Sequence, residues 1–351
     1  MTSNRLSAHM ASAPVRVFDA VHAFRVWRKA CLQQGKSVGF VPTMGALHEG
    51  HLQLVDASLH ENDLTVVSIF VNPAQFAPHE DLANYPRTLP SDLALLAERQ
   101  ERAHLSDRLV VLVPQVLDMY PNGITQNVDA QVGAFVEVKG LSHQMEGGTR
   151  PTFFRGVATV VTKLFNVVLV RMPYLHQPDR AYFGQKDIQQ AIILRRLVDD
   201  LLFTYPDGSK NVRVLPTARD PIDHLALSSR NKYLDENGRR IAPLLYQALT
   251  QGQAMWDVLV RQNVPGNERV TRTLEAARSV IVQQGGADPT ASAELDYISL
   301  NDPVTLDELT PNSEVGTEAI LSGAVWVRNH RDDAQPAARL IDNVLLGFVL
   351  H

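Results

Sequence analysis

Short, uninterrupted apolar runs alternate with segments of helical spacing over the first two-thirds of this chain, and this alternation limits the fold most sharply. The runs SVGFV (37–41), LTVVSIFV (64–71), RLVVLVP (108–114) and RAYFG (180–184) read as strands buried on both faces. Between them, segments 20–34, 49–61, 91–102, 156–169 and 187–202 space their apolar residues at the helical period. Strand and helix in alternation imply an α/β domain, a parallel sheet flanked by helices. Ligands of such sheets sit at the carboxyl ends of the strands.

The pattern changes after about residue 217. Two helical stretches, 236–262 and 268–284, precede three strand-like runs, ELDYISL (294–300), EAILSGAVWV (318–327) and ARLIDNVLL (338–346). Helices followed by strands predict a smaller α+β domain, so the expected division is 1–217 and 218–351, with the proline-bearing LPTARDPIDH (215–224) at the boundary. Segments 99–108, 170–180 and 203–211 are polar or proline-bearing and read as surface loops.

A net charge of -5 gives no reason to expect a nucleic-acid partner. The most apolar stretch, 156–170, is broken by Lys163 and Asn166, so no membrane-spanning segment is expected. The single cysteine, Cys31, cannot form an internal disulfide and fits a reducing compartment, the cytoplasm. Residues 1–15 contain Arg5 and no acid precedes Asp19; a flexible tail is the expected reading, with a mitochondrial targeting segment as the alternative.

Four stretches carry candidate chemistry. In FVPTMGALHEGHLQLV (40–55), a strand and turn lead to a helix start holding Gly45, Gly50, His48 and His51. Helix starts present unpaired N–H groups, and glycine lets a phosphate approach them. Imidazoles at i and i+3 share a face, where they can donate to anionic oxygens. A zinc pair or surface histidines are the other readings; zinc would need further ligands, and no companion His/Cys cluster is evident. In SIFVNPAQF (68–76), Asn72 and Gln75 follow a strand end, suited to hydroxyl and carboxylate recognition or simply to a turn. In YFGQKDIQQ (182–190), Lys186 lies near a helix start, where an anion would justify it; a solvated charge pair with Asp187 is the alternative. In LALSSRNKYL (225–234), Ser228, Ser229 and Arg230 form either a phosphate clamp or a helix cap with a surface arginine. Together the four point to a nucleotide attacked at its α-phosphate. Neither a P-loop nor a G-x-G-x-x-G fingerprint is present, which disfavours P-loop kinases and Rossmann dehydrogenases.

PTMGALHEGH resembles the H-x-G-H signature of the nucleotidyltransferase superfamily. The wider set is similar to the pantothenate synthetase (pantoate–β-alanine ligase) family: VPTMGALHEGHLQLV, VSIFVNPAQF, DLANYPRTL, YPNG, FRGVATVVTKLFN, FGQKDIQQ, LALSSRN and ARLIDN occur in the expected order from about 36 to 343. The resemblance implies a Rossmann-like first domain and an ATP-dependent, AMP-forming condensation of pantoate with β-alanine through a pantoyl adenylate. It implies that Met44, Gly45, His48, His51, Gly184, Lys186, Asp187, Ala218, Leu227, Ser228, Ser229 and Arg230 bind ATP, with His48, His51, Lys186 and Arg230 catalytic. Gln75, Asn72 and Gln190 would take pantoate or β-alanine. It further implies Mg²⁺ held mainly by ATP phosphates, no dedicated protein metal site, and a homodimer.

The chain departs from the family pattern in three places. Phe153 replaces a histidine of R-P-G-H-F, Gln185 replaces the glutamate of G-E-K-D, and the loop 218–226 is longer and lacks the usual glycine. Segments 99–108, 170–180 and 203–211 read as insertions. Another adenylate-forming or nucleotidyl-transferring enzyme of the same fold is one alternative. A nucleotide-binding protein without turnover, suggested by Phe153 and the altered loop, is the other.

Overall fold

The structure, a computed structural model, describes residues 15–78, 80, 82–103, 107–169, 179–330 and 337–351. The chain divides into two compact units. One comprises 1–184, 190–215 and residue 351; the other comprises 185–189 and 216–350.

The first unit is built on six parallel strands: β1 (Arg16–Phe18), β2 (Val38–Thr43), β3 (Leu64–Ile69), β4 (Leu109–Leu112), β5 (Arg180–Gly184) and β6 (Val212–Leu215). They lie in the order β1-β4-β3-β2-β5-β6. The helices are α1 (Val21–Gln33), α2 (Glu49–Glu61), α3 (Leu89–Arg102), α4 (Phe153–Val168) and α5 (Ile188–Asp200), with helical turns at Val116–Met119 and Glu146–Thr149. Every residue of β3 and β4 is buried, as a strand covered on both faces requires. One core cluster gathers Phe24, Phe40, Val66, Leu112 and Phe165, and another gathers Val41, Val55, Val67, Leu96 and Val111. Alternate residues of β2 and β3 thus enter different clusters, because successive strand side chains point to opposite faces.

The strand order reverses between β2 and β5. Among the described residues these strands pair at Gly39↔Arg180 and Phe40↔Ala181 and not beyond. They part toward their carboxyl ends, where the crevice of an open parallel sheet lies.

The second unit holds α6 (Glu236–Ile241), α7 (Leu244–Arg261), α8 (Gly266–Gln284) and an antiparallel sheet of β7 (Ala291–Asn301), β8 (Ala319–Asn329) and β9 (Ala338–Leu346), with β8 central. Trp256, Leu249, Val270, Leu321 and Val325 lie in its core.

Several boundaries differ from expectation. The stretch 236–262 is two helices, since Pro243 caps α7 and has no N–H to carry α6 onward. Helix α4 begins at Phe153 rather than 156. Strands β1 and β6, edge strands of only three and four residues, were not expected, because runs that short carry no clear period. The expected loop 99–108 is helical as far as Arg102, and its residues 104–106 lie outside the described residues. So do residues 170–178 of the expected loop 170–180 and all of the expected tail except Val15, which is 3% exposed in the core. Among the described residues no helix is long and apolar enough to cross a membrane.

Candidate active site

In the first unit the turn after β2 makes a folded corner. Thr43 Oγ1 donates to the Ser68 carbonyl (2.8 Å) and accepts from the Gly45 N–H (3.2 Å). Gly45 then takes φ +86°, a conformation that a side chain resists. His48 is the N-cap of α2, its Nδ1 accepting from the Gly50 N–H at 3.2 Å. A neutral imidazole accepting at Nδ1 carries its proton on Nε2, which is thereby made a donor. The His48 and His51 rings lie 4.1 Å apart at 44°. Two imidazoles therefore share the positive end of a 13-residue helix, the arrangement expected of an anion site. Among the described residues, no three His, Cys, Asp or Glu side chains are grouped to hold a metal ion, so the zinc reading has no support there.

The amides of 72–75 lie deeper. Asn72 is 1% and Gln75 8% exposed. Asn72 Nδ2 donates to Gln75 Oε1 (3.0 Å) and to the Gly156 carbonyl (3.2 Å), while Asn72 Oδ1 accepts from the Tyr120 hydroxyl (2.7 Å). Gln75 Nε2 reaches Met44 Sδ at 3.1 Å, tying this pair to the turn after β2. A Cβ on Gly156 would come within 2.3 Å of the Ala74 carbonyl oxygen, so glycine is what lets α4 approach this segment. Burial of the Tyr120 phenol raises its pKa and so keeps it a donor. Gly184, at the end of β5, faces open space where a Cβ would stand, and Gln190 is half-buried on α5.

The second unit carries the other candidates. A narrow cleft in this unit is lined by Lys186, Ser228, Arg230, Asn231 and Tyr246 among others. Lys186 lies in the turn Gln185–Asp187, its Nζ 3.8 Å from Asp187 Oδ1. Buried Asn343 fixes that turn, donating to the Gln185 and Lys186 carbonyls at 3.0 and 2.8 Å. Ser228 does serve as a cap, accepting from the Arg230 N–H at 3.2 Å, and it also lines the cleft. Ser229 begins the helical turn and Arg230 is exposed. The Ala218 carbonyl accepts from the Leu227 N–H at 2.9 Å, closing the loop between them. Arg219 braces that loop, paired with Asp342 at 2.6 and 3.0 Å and lying 3.6 Å over the Tyr246 ring.

The family model of pantoate–β-alanine ligase matches residues 16–345. The chain belongs to the pantoate–β-alanine ligase family. Among its relatives, the Saccharomyces cerevisiae pantoate–β-alanine ligase is 42% identical over 95% of this chain and 100% of its own length. The Moorella thermoacetica pantothenate synthetase is 41% identical over 95% and 99%. Of solved structures, the Thermus thermophilus pantothenate synthetase superposes with a TM-score of 0.70 at 38% identity, covering 94% of this chain and 99% of its own. The Francisella tularensis ligase, solved with β-γ ATP and β-alanine, gives a TM-score of 0.62 at 28% identity, covering 94% and 97%.

The departures from the family pattern have local accommodations in this ligase. Phe153 opens α4, lies edge-on to Phe154 and receives the Arg150 guanidinium 3.8 Å over its ring. Arg150 also pairs with Glu80 at 2.6 and 3.0 Å and donates to the Gln75 carbonyl at 3.3 Å. Gln185 Nε2 donates to Asn343 Oδ1 at 3.3 Å, a bond that a carboxylate could not make. The loop 218–226 is held without glycine: Asp220 Oδ1 accepts from the Ile222 and Asp223 N–H groups, and Arg239 pairs with Asp220 and Asp223. His224 takes the left-handed position, φ +62°. Sequence reasoning missed Asp92, Tyr120, Arg150 and Asn343. Tyr120 and Asn343 lie inside quoted motifs, YPNG and ARLIDN, but nothing in the spacing said what they touch.

Proposed function

We propose that this ligase condenses pantoate with β-alanine at the expense of ATP, by way of a pantoyl adenylate. The observation that carries the reading is the link through Met44. Gln75 touches Met44 Sδ, so a buried Asn–Gln amide pair adjoins the turn that leads to two imidazoles at a helix start. Amides suit a hydroxy acid, and helix-start imidazoles suit a phosphate. Adjoining sites for both are what carboxylate attack on an α-phosphate needs.

In this reading Asn72, Gln75 and Gln190 hold pantoate with its carboxylate toward ATP. His48 donates from Nε2 to a phosphate oxygen, and His51 steadies the charge that grows on the departing pyrophosphate. Met44 and Gly45 border the nucleotide at the turn after β2, and Gly184 leaves room for it. Lys186 and Arg230 neutralise the triphosphate, helped by Ser228 and Ser229, while Ala218 and Leu227 offer backbone to the base. Mg²⁺ would enter with ATP on phosphate oxygens, with Asp187 available to a metal-bound water; the described residues offer no three-ligand protein cage. Adenylation turns the carboxylate oxygen into part of a good leaving group. The β-alanine amine, placed by Gln75, then attacks the acyl carbon and AMP departs. The active form is a homodimer through the larger unit, working in the cytoplasm.

Incubation with ATP, pantoate and β-alanine tests the reading by mass spectrometry of the products. Pantothenate, AMP and pyrophosphate in equal amounts are expected, with one equivalent of pyrophosphate per site when β-alanine is withheld. AMP without amide would assign the chain to another adenylating reaction. ATP binding without pyrophosphate would remove turnover altogether.

A further inference from the structure

Asp92 has no part in the chemistry above, yet its environment is specific. It lies in the first turn of α3 and is 1% exposed. Its Oδ1 accepts from the Leu47 N–H at 2.8 Å and its Oδ2 from the Ala46 N–H at 3.1 Å, across 45 and 46 residues of chain. The Thr88 hydroxyl stands 3.2 and 3.1 Å from the same two oxygens. An acid in a first helical turn ordinarily complements the helix dipole. Here both oxygens are also engaged by a distant segment.

That segment is strained. Ala46 follows left-handed Gly45 and is itself left-handed, at φ +51°. Glycine takes this conformation freely, but an alanine Cβ crowds the neighbouring carbonyl and favours release. The two N–H groups anchored on Asp92 belong to Ala46 and its successor, and His48 comes next. A carboxylate can accept both N–H groups at once. An asparagine offers one oxygen and turns an NH₂ toward the other N–H.

We propose that Asp92 is a positioning residue for the adenylation step, holding Ala46 left-handed so that His48 and His51 keep their geometry at the start of α2. The proposal rests on the functional reading above for what those imidazoles do, and on the backbone contacts for how they are held.

The test uses the full-length protein and five forms: wild type, Asp92→Asn, Asp92→Asn with Ala46→Gly, Thr88→Val, and Thr88→Val with Ala46→Gly. Wild type alone decides the functional reading, through pyrophosphate release with ATP and pantoate. Asp92→Asn is expected to lower the single-turnover adenylation rate about 10-fold or more, as loss of a charged hydrogen bond does. KM for ATP should move less than about 3-fold, since uniform binding is not what is lost. Adding Ala46→Gly should recover at least about 3-fold of that rate, because glycine reaches the left-handed conformation unaided. The imidazole NMR signals of His48 and His51 should shift in Asp92→Asn and return in the double variant, a readout that holds whatever the substrate. An Asp92→Asn protein with wild-type rate and signals but a lower Tm would reduce Asp92 to a structural role and overturn the proposal. So would a double variant no better than Asp92→Asn alone. Should Asp92→Asn fail to fold, Thr88→Val carries the test: a reduced rate restored by Ala46→Gly supports the proposal, and an unchanged rate and spectrum refute it.

Discussion

The histidine corner of the first unit and the lysine–arginine cleft of the second are held in different ways. In the corner, the participating groups are fixed by other side chains and backbone. His48 is an N-cap, Asn72 is held by Tyr120, Gln75 by Asn72, and the turn by Asp92. In the cleft, the cationic groups stand at the ends of flexible chains. Arg230 is exposed, and among the described residues Lys186 has one ion pair, a 3.8 Å approach to Asp187, though the backbone beneath it is pinned by Asn343. The difference matches two tasks. A donor that must meet charge only as the transition state forms has to be fixed beforehand, because reorganising it would cost what it contributes. A cation that neutralises a triphosphate acts through distance and tolerates looser placement.

The largest effect should come from the corner. His51→Ala is expected to slow adenylation by about 10² or more, with the loss in kcat rather than in KM for ATP. Rapid-quench measurement of pyrophosphate reads it, and an unchanged burst would break the contrast. Lys186→Ala should cost about 10-fold in kcat/KM, carried mainly by KM for ATP, as a group that binds ground and transition states alike would do. If Lys186→Ala instead lowers kcat as far as His51→Ala does, the cleft is as preorganised as the corner. Tyr120→Phe removes one buried donor from Asn72 and should destabilise the protein by about 1–2 kcal/mol in urea unfolding, with KM for pantoate raised and KM for ATP unmoved. Equal changes in both would mean that the amide pair does not face pantoate.

Two smaller effects refine the picture. Phe153→His keeps a flat ring under Arg150 and should leave kcat/KM for pantoate within about 3-fold, as surface-adjacent changes without lost burial do. A collapse in pantoate use would show that the pocket is built around the phenyl ring. In the second unit, Asp220 is held below the usual carboxylate range by the N–H groups of Ile222 and Asp223, with Arg239 adding to it. Asp288 is lowered as well, by the Thr290 hydroxyl and amide and by Arg240. A depressed folded pKa contributes stability that is whole above the unfolded value, about 3.9, and is lost as pH falls below it. Asp220→Asn and Asp288→Asn should therefore flatten the fall of Tm with pH below about 4, and should leave its value near pH 7 lower. An unaltered acid limb would show that neither carboxylate is linked to folding.

The residues that carry charge or conformational freedom were legible in the sequence. His48, His51 and Lys186 follow strand ends where a period change and a glycine mark the place, and Ser228 and Arg230 follow a short apolar run. The residues that hold them were not. Asp92 reads as an ordinary first-turn acid, because the two N–H groups that it anchors lie 45 and 46 residues away. Tyr120 and Asn343 look like loop and strand residues until Asn72 and the Lys186 turn are brought beside them.

The amino-acid order alone dictated a parallel α/β body followed by a helical and β-rich portion, because apolar period is a local property of the chain. It also named the candidate phosphate and pantoate groups, since their residue types announce their chemistry. Only the folded chain decided that β2 and β5 part at a strand-order reversal, that α4 starts at Phe153, and that a buried carboxylate grips the turn before the histidines. Those outcomes depend on pairings between distant segments, and such pairings are set by which surfaces can be buried together rather than by neighbours in the chain.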